Sequence, residues 1–126
     1  MSKSVYDFSG WATRVNLKCS DGRTIRRGAF SGQDGARVPL VWNHNYSGPD
    51  NVLGHADLEE REDGMYAYCT FNDSDSANTA KIGVKHGDIT NLSIYANHLK
   101  QVEGDVIHGK IREVSLVLAG ANPGAT

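Results

Sequence analysis

Near its C-terminus the chain reads Val106-Ile-His-Gly-Lys-Ile-Arg-Glu-Val-Ser-Leu-Val-Leu118. Side chains alternate across a β-strand, so Ile111, Glu113, Ser115 and Val117 share one face and Arg112, Val114, Leu116 and Leu118 the other. Both faces are largely apolar. A strand covered on both sides is central in its sheet, and the rest of the chain must supply its neighbours. Glu113 then lies on a covered face, where a carboxylate needs a partner.

Upstream, Glu103-Gly104-Asp105 is a turn, and Asn91–Val102 reads as the strand that precedes it. The segment Gly87-Asp-Ile-Thr-Asn-Leu-Ser-Ile-Tyr95 delivers that strand from a helix and places one hydroxyl, Ser93, between Leu92 and Ile94. The helix is expected over about 74–86. Asn72-Asp-Ser-Asp75 offers N-cap candidates and negative charge for its start. Ala77, Ala80 and Val84 recur at helical spacing with Ile82 widening the stripe, and Gly87 suits the residue after the C-cap.

Val52–Glu60 and Met65–Phe71 read as a hairpin closed through Arg61-Glu62-Asp63-Gly64, since Asp-Gly is a strong hairpin signal. His55 lies in its first strand and reads as a surface or edge residue. Val38-Pro-Leu-Val-Trp-Asn-His44 is a further strand with Val38, Leu40, Trp42 and His44 on one face. Pro39 has no N–H, so that strand should begin there or lie at an edge. Val5–Thr13 reads as the first strand, loosened at Gly10. Asp21-Gly22 is a tight turn, and Arg23, Arg26 and Arg27 belong to a solvated loop or contact an anion. About six strands, one helix and no βαβ rhythm predict a mainly β, α+β domain: an antiparallel sheet or barrel with helical cover.

At 126 residues the chain has the size of one domain. Thirteen Lys and Arg against fifteen Asp and Glu give a net charge of −2, and the mean hydropathy is −0.45. That balance excludes an electrostatic footprint for nucleic acid or an anionic membrane. Cys19 and Cys69 match no metal spacing, and Cys69 alternates with Met65, Ala67 and Phe71 as a buried free thiol would. There is no signal peptide and no apolar run of about 20 residues, so an intracellular protein is expected.

Three groups could carry chemistry: the hydroxyl of Ser93, the imidazole of His44 and the carboxylate of Glu113. A serine hydroxyl is a weak nucleophile until a base takes its proton, and an acid can orient that base. Taken from spacing alone this is a weak signal. A lone histidine at a strand end is more often structural than catalytic, and many Ser/His/Glu triples occur by chance. No Gly-x-Ser-x-Gly elbow is present, and no paired-cysteine or His-Glu-x-x-His zinc motif. Ser115 is a rival nucleophile, and His98 and His108 are rivals for the third position.

Four segments, in order, resemble the tailed-phage prohead maturation proteases, serine peptidases related to herpesvirus assemblin. They are Asp21-Gly-Arg-Thr-Ile-Arg-Arg-Gly-Ala-Phe30, Val38-Pro-Leu-Val-Trp-Asn-His-Asn45, Gly87-Asp-Ile-Thr-Asn-Leu-Ser-Ile94 and Arg112-Glu-Val-Ser-Leu-Val-Leu-Ala-Gly-Ala-Asn-Pro123. Each is short; four in sequence, from about Phe8 to Pro123, are specific. The resemblance implies a closed or nearly closed β-barrel of about six or seven strands with a peripheral helix. It also implies a serine endopeptidase acting without a cofactor or metal, with Ser93 as nucleophile, His44 as base and Glu113 as third member.

The implied substrates are the phage major capsid protein and scaffold, cleaved inside the assembling prohead in the host cytoplasm. Self-cleavage and a homo-oligomer are compatible with this, and neither nucleic acid nor membrane is a partner. Residues 1–126 read as a single protease domain, a catalytic core lacking a C-terminal extension. Tyr95 departs from the pattern, since many relatives carry Gly there, and no oxyanion donor is assigned beyond Arg112 by adjacency. The second reading is a non-catalytic barrel that serves as a scaffold or assembly module of the prohead.

Overall fold

A computed structural model describes residues 6–19, 21–45 and 47–118. The strands are β1 (Phe8–Arg14), β2 (Thr24–Ile25), β3 (Arg37–Trp42), β4 (Val52–Arg61), β5 (Gly64–Phe71), β6 (Asn91–Val102) and β7 (Asp105–Val117), with one α-helix, α1 (Asp75–Lys85), between β5 and β6. The expected tail, Ala119–Thr126, and the beginning of the first strand at Val5 lie outside the described residues.

The strand Asp105–Val117 is central, as its two apolar faces require. One edge of β7 is taken along its length by β6, from Val117 opposite Asn91 to Asp105 opposite Val102. The other edge is shared. β2 pairs with its start, through Ile25 and Val106, and β3 with its end, through Leu40–Trp42 and Val114–Leu116. Between them the carbonyl of Ala29 accepts from the N–H of Gly109 at 3.0 Å. The buried side-chain amide of Gln33 then replaces a strand: it donates to the carbonyl of Ile111 at 2.9 Å and accepts from its N–H at 2.6 Å. A covered strand edge must satisfy its polar groups somewhere, and here a glutamine does it.

Both pairings on that second edge are parallel, whereas β3–β4, β4–β5, β5–β1 and β6–β7 are antiparallel. The expected purely antiparallel sheet is therefore mixed. The expected closure is not seen either: among the described residues β1 pairs only with β5 and β6 only with β7, so the sheet curls into an open half-barrel. β1 runs alongside β6 without a ladder. The two-residue β2 escapes a periodicity reading, because two residues carry no period.

Pro39 is tolerated in the interior strand β3 because the ladder to β7 begins one residue later, at Leu40. His55 lies on interior strand β4 rather than on an edge. Ser74 caps α1, accepting from the N–H of Ala77 at 3.1 Å, and Gly87 follows the C-cap His86 with φ +78°. Ala77 and Ala80 face the core, but Ile82 points outward at 61% exposure, outside the stripe expected of it. The core gathers Leu40, Leu53, Leu58, Met65, Leu92, Ile111, Val114 and Leu116. Cys19 and Cys69 are buried, and burial pushes the Cys69 thiol up to about 12.

Candidate active site

The register of the three strands brings the candidate residues together. Ser93 on β6 lies directly across from Ser115 on β7, Tyr95 lies across from Glu113, and Val41 on β3 pairs with Ser115 from the other side. Cross-strand neighbours share a face. One residue beyond β3, Asn43 and His44 adopt φ of +49° and +56°. Consecutive left-handed residues reverse the chain, and Asn and His are among the residue types that tolerate that region. The N–H of Asn43 donates to the carbonyl of Leu116 at 2.9 Å, and that of His44 to the hydroxyl of Ser115 at 2.7 Å. The turn is thus pinned to β7.

Pinned there, the imidazole spans the two candidate partners. Its Nε2 lies 3.0 Å from Ser93 Oγ and its Nδ1 2.9 Å from Glu113 Oε1. Glu113 is 1% exposed, while the His44 side chain is 37% exposed. Burial pushes the Glu113 carboxyl above the ordinary range; the adjoining His44, the Tyr95 amide and the Ser115 hydroxyl pull the other way. A carboxylate at Nδ1 favours the tautomer with its proton on Nδ1, leaving the Nε2 lone pair facing the serine hydroxyl. Both separations lie within the range over which a proton can be passed.

Ser115, the rival nucleophile, is fully buried and engaged with backbone, donating to the carbonyl of Val41 at 3.2 Å. His98 and His108 are exposed, and among the described residues neither hydrogen-bonds Ser93 or His44. Arg112 is exposed and occupies the extra position where β7 slips register between Tyr95–Glu113 and Ala96–Ile111.

Beside Ser93 opens a cleft of about 260 Å³ along the seam between β1 and β6, with Ala12, Thr13, Ile94–Ala96 and Leu99 on its sides and Asp21 and Arg23 on its wall. Arg23, expected in a solvated loop or against an anion, is part of this wall and pairs with Asp21. No periodicity marks it, because its place comes from β2 docking on the far end of β7.

A family model described as caudovirus prohead serine protease matches residues 2–126. No curated protein sequence matches the chain significantly. Among solved structures, KSHV protease in complex with a hexapeptide phosphonate inhibitor has a similar fold, with a TM-score of 0.66 and 14% identity. That match covers 93% of this chain and 61% of the KSHV chain, so the present chain spans less than two thirds of the length of that protein.

Proposed function

This chain belongs to the family of caudovirus prohead serine proteases, and on that premise we propose that residues 1–126 act as one protease domain of an endopeptidase that cleaves capsid and scaffold proteins within the assembling prohead. Ser93 is its nucleophile, His44 its general base and Glu113 the acid that orients the imidazole. The observation that supports this most is the continuous hydrogen-bonded chain Ser93 Oγ, His44 Nε2, His44 Nδ1, Glu113 Oε1.

The chemistry follows from those contacts. Ser93 Oγ attacks the scissile carbonyl as its proton passes to His44 Nε2. The C–N bond then breaks, and His44 returns the proton to the leaving amine. A water deprotonated by His44 attacks the acyl-serine ester, and His44 gives that proton to Ser93 Oγ as the ester C–O bond breaks. Throughout, Glu113 accepts the Nδ1–H and stabilises the imidazolium as it forms.

The test is labelling by a serine-directed fluorophosphonate, run beside cleavage of capsid precursor. Label and cleavage should both vanish in Ser93→Ala and His44→Ala. Full cleavage by Ser93→Ala would overturn the assignment. A folded wild-type protein that neither labels nor cleaves would instead favour the non-catalytic assembly module.

A further inference from the structure

The cleft beside Ser93 combines apolar walls with a single pair of opposite charges. Ile25, Phe30 and Val106 line it and are otherwise buried, so it reaches into the hydrophobic core. Its charged lining residues, Asp21 and Arg23, are tied to each other: Arg23 Nε and one terminal nitrogen meet the same Asp21 oxygen at 2.7 and 2.6 Å, and the Arg23 N–H meets the other at 3.0 Å. Opposite charges paired this closely leave the cleft with little net field for a charged ligand.

We propose that this cleft receives an uncharged aliphatic or aromatic side chain, of leucine to phenylalanine size, from the substrate residue whose carbonyl Ser93 attacks; the inference rests on the serine protease reading above. Ser93 itself lines the cleft, so the side chain next to the attacked carbonyl is the one within reach. Its volume of about 260 Å³ exceeds the roughly 150 Å³ in which an apolar cavity holds a benzene ring. A methyl group would leave most of it unfilled. A lysine or glutamate side chain reaching past the Asp21–Arg23 pair would have to bury its charge against Ile25, Phe30 and Val106, which is costly.

A glycine on β7 sets the width of the inner wall. A Cβ on Gly109 would stand 2.6 Å from Leu99 Cδ2 and 2.9 Å from Phe30 Cε1. Both are ends of side chains that line the cleft. Gly109→Ala therefore displaces cleft-lining atoms while leaving Ser93, His44 and Glu113 untouched.

The experiment uses peptidyl diphenyl phosphonates that differ only in the side chain next to phosphorus: alanine, leucine, phenylalanine, lysine or glutamate. Ser93 Oγ forms a bond to phosphorus, one phenoxide leaves, and the serine proton ends on the phenol. Leucine and phenylalanine probes should react about tenfold or more faster than the other three. Gly109→Ala should reduce the leucine-over-alanine ratio about tenfold, with its rate toward a small fluorophosphonate unchanged. If that variant fails to fold, Leu99→Ala serves, and should shift preference from leucine toward phenylalanine.

Equal rates for all five probes, with Ser93 still labelled by the fluorophosphonate, would overturn the inference alone. So would a preference for lysine or glutamate. No labelling of Ser93 by either reagent would overturn the protease reading, and the inference with it.

Discussion

The hydroxyl of Ser115 accepts the backbone N–H of His44 at 2.7 Å, joining the C-terminal end of β7 to the left-handed turn that carries the imidazole. The same hydroxyl donates to the carbonyl of Val41 at 3.2 Å, so one buried side chain fixes the end of β3 and the turn after it. Ser115 thus anchors the turn that carries His44.

Replacing Ser115 by Ala should separate positioning from packing. The His44 N–H loses its acceptor, at a cost of about 1–3 kcal/mol in unfolding by urea. A base displaced by even an ångström costs up to about a hundredfold in rate, so fluorophosphonate labelling of Ser93 should slow by about ten- to a hundredfold in protein that remains folded. Labelling at the wild-type rate would show that the turn holds its shape without Ser115.

Glu113→Gln should trade activity for stability in a pH-dependent way. Burial raises the Glu113 carboxyl above its ordinary range, so the folded state favours its protonated form. That contribution is full below the unfolded pKa of about 4.3 and is lost as pH rises through the raised folded value. Glutamine suffers no such loss. The difference in Tm, variant minus wild type, should therefore grow as pH rises above about 4, while peptide cleavage falls by about 10² to 10⁴. A Tm difference that shrinks with pH would mean that attraction to His44 outweighs burial.

Gln33→Met keeps the length of the side chain but removes its amide. The N–H and carbonyl of Ile111 would lose their partners on the covered edge of β7. At about 1–3 kcal/mol for each buried group left unpaired, the loss should reach several kcal/mol in denaturant unfolding. A loss under about 1 kcal/mol would show that the edge finds other partners.

Gly54→Ala tests the close approach of β4 to β5. A Cβ there would collide with the carbonyl oxygen of Thr70 and come 2.9 Å from Phe71 Cα, both backbone atoms that cannot rotate away. Gly54 also pairs with Leu40, just before the register of β3 slips. The variant should lose about 3 kcal/mol or more; thermal unfolding near the wild-type temperature would contradict that packing.

Alternation along Val106–Leu118 was enough to place that strand at the centre, and hydrophobic spacing with a serine cap was enough to place α1. The same local patterns marked Ser93, His44 and Glu113 as polar groups in apolar settings, and the order of four motifs pointed to the protease family. Local patterns act between near neighbours in the chain, so they are written in the sequence. The mixed pairing on β7, the Gln33 amide that stands in for a strand, the open seam between β1 and β6, and the docking of Arg23 on the cleft wall depend on residues brought together from distant parts of the chain. So does the meeting of His44 with Glu113, 69 positions away. No period or motif records such distances: only the register of β3 and β6 on β7 turns three separated side chains into one hydrogen-bonded line.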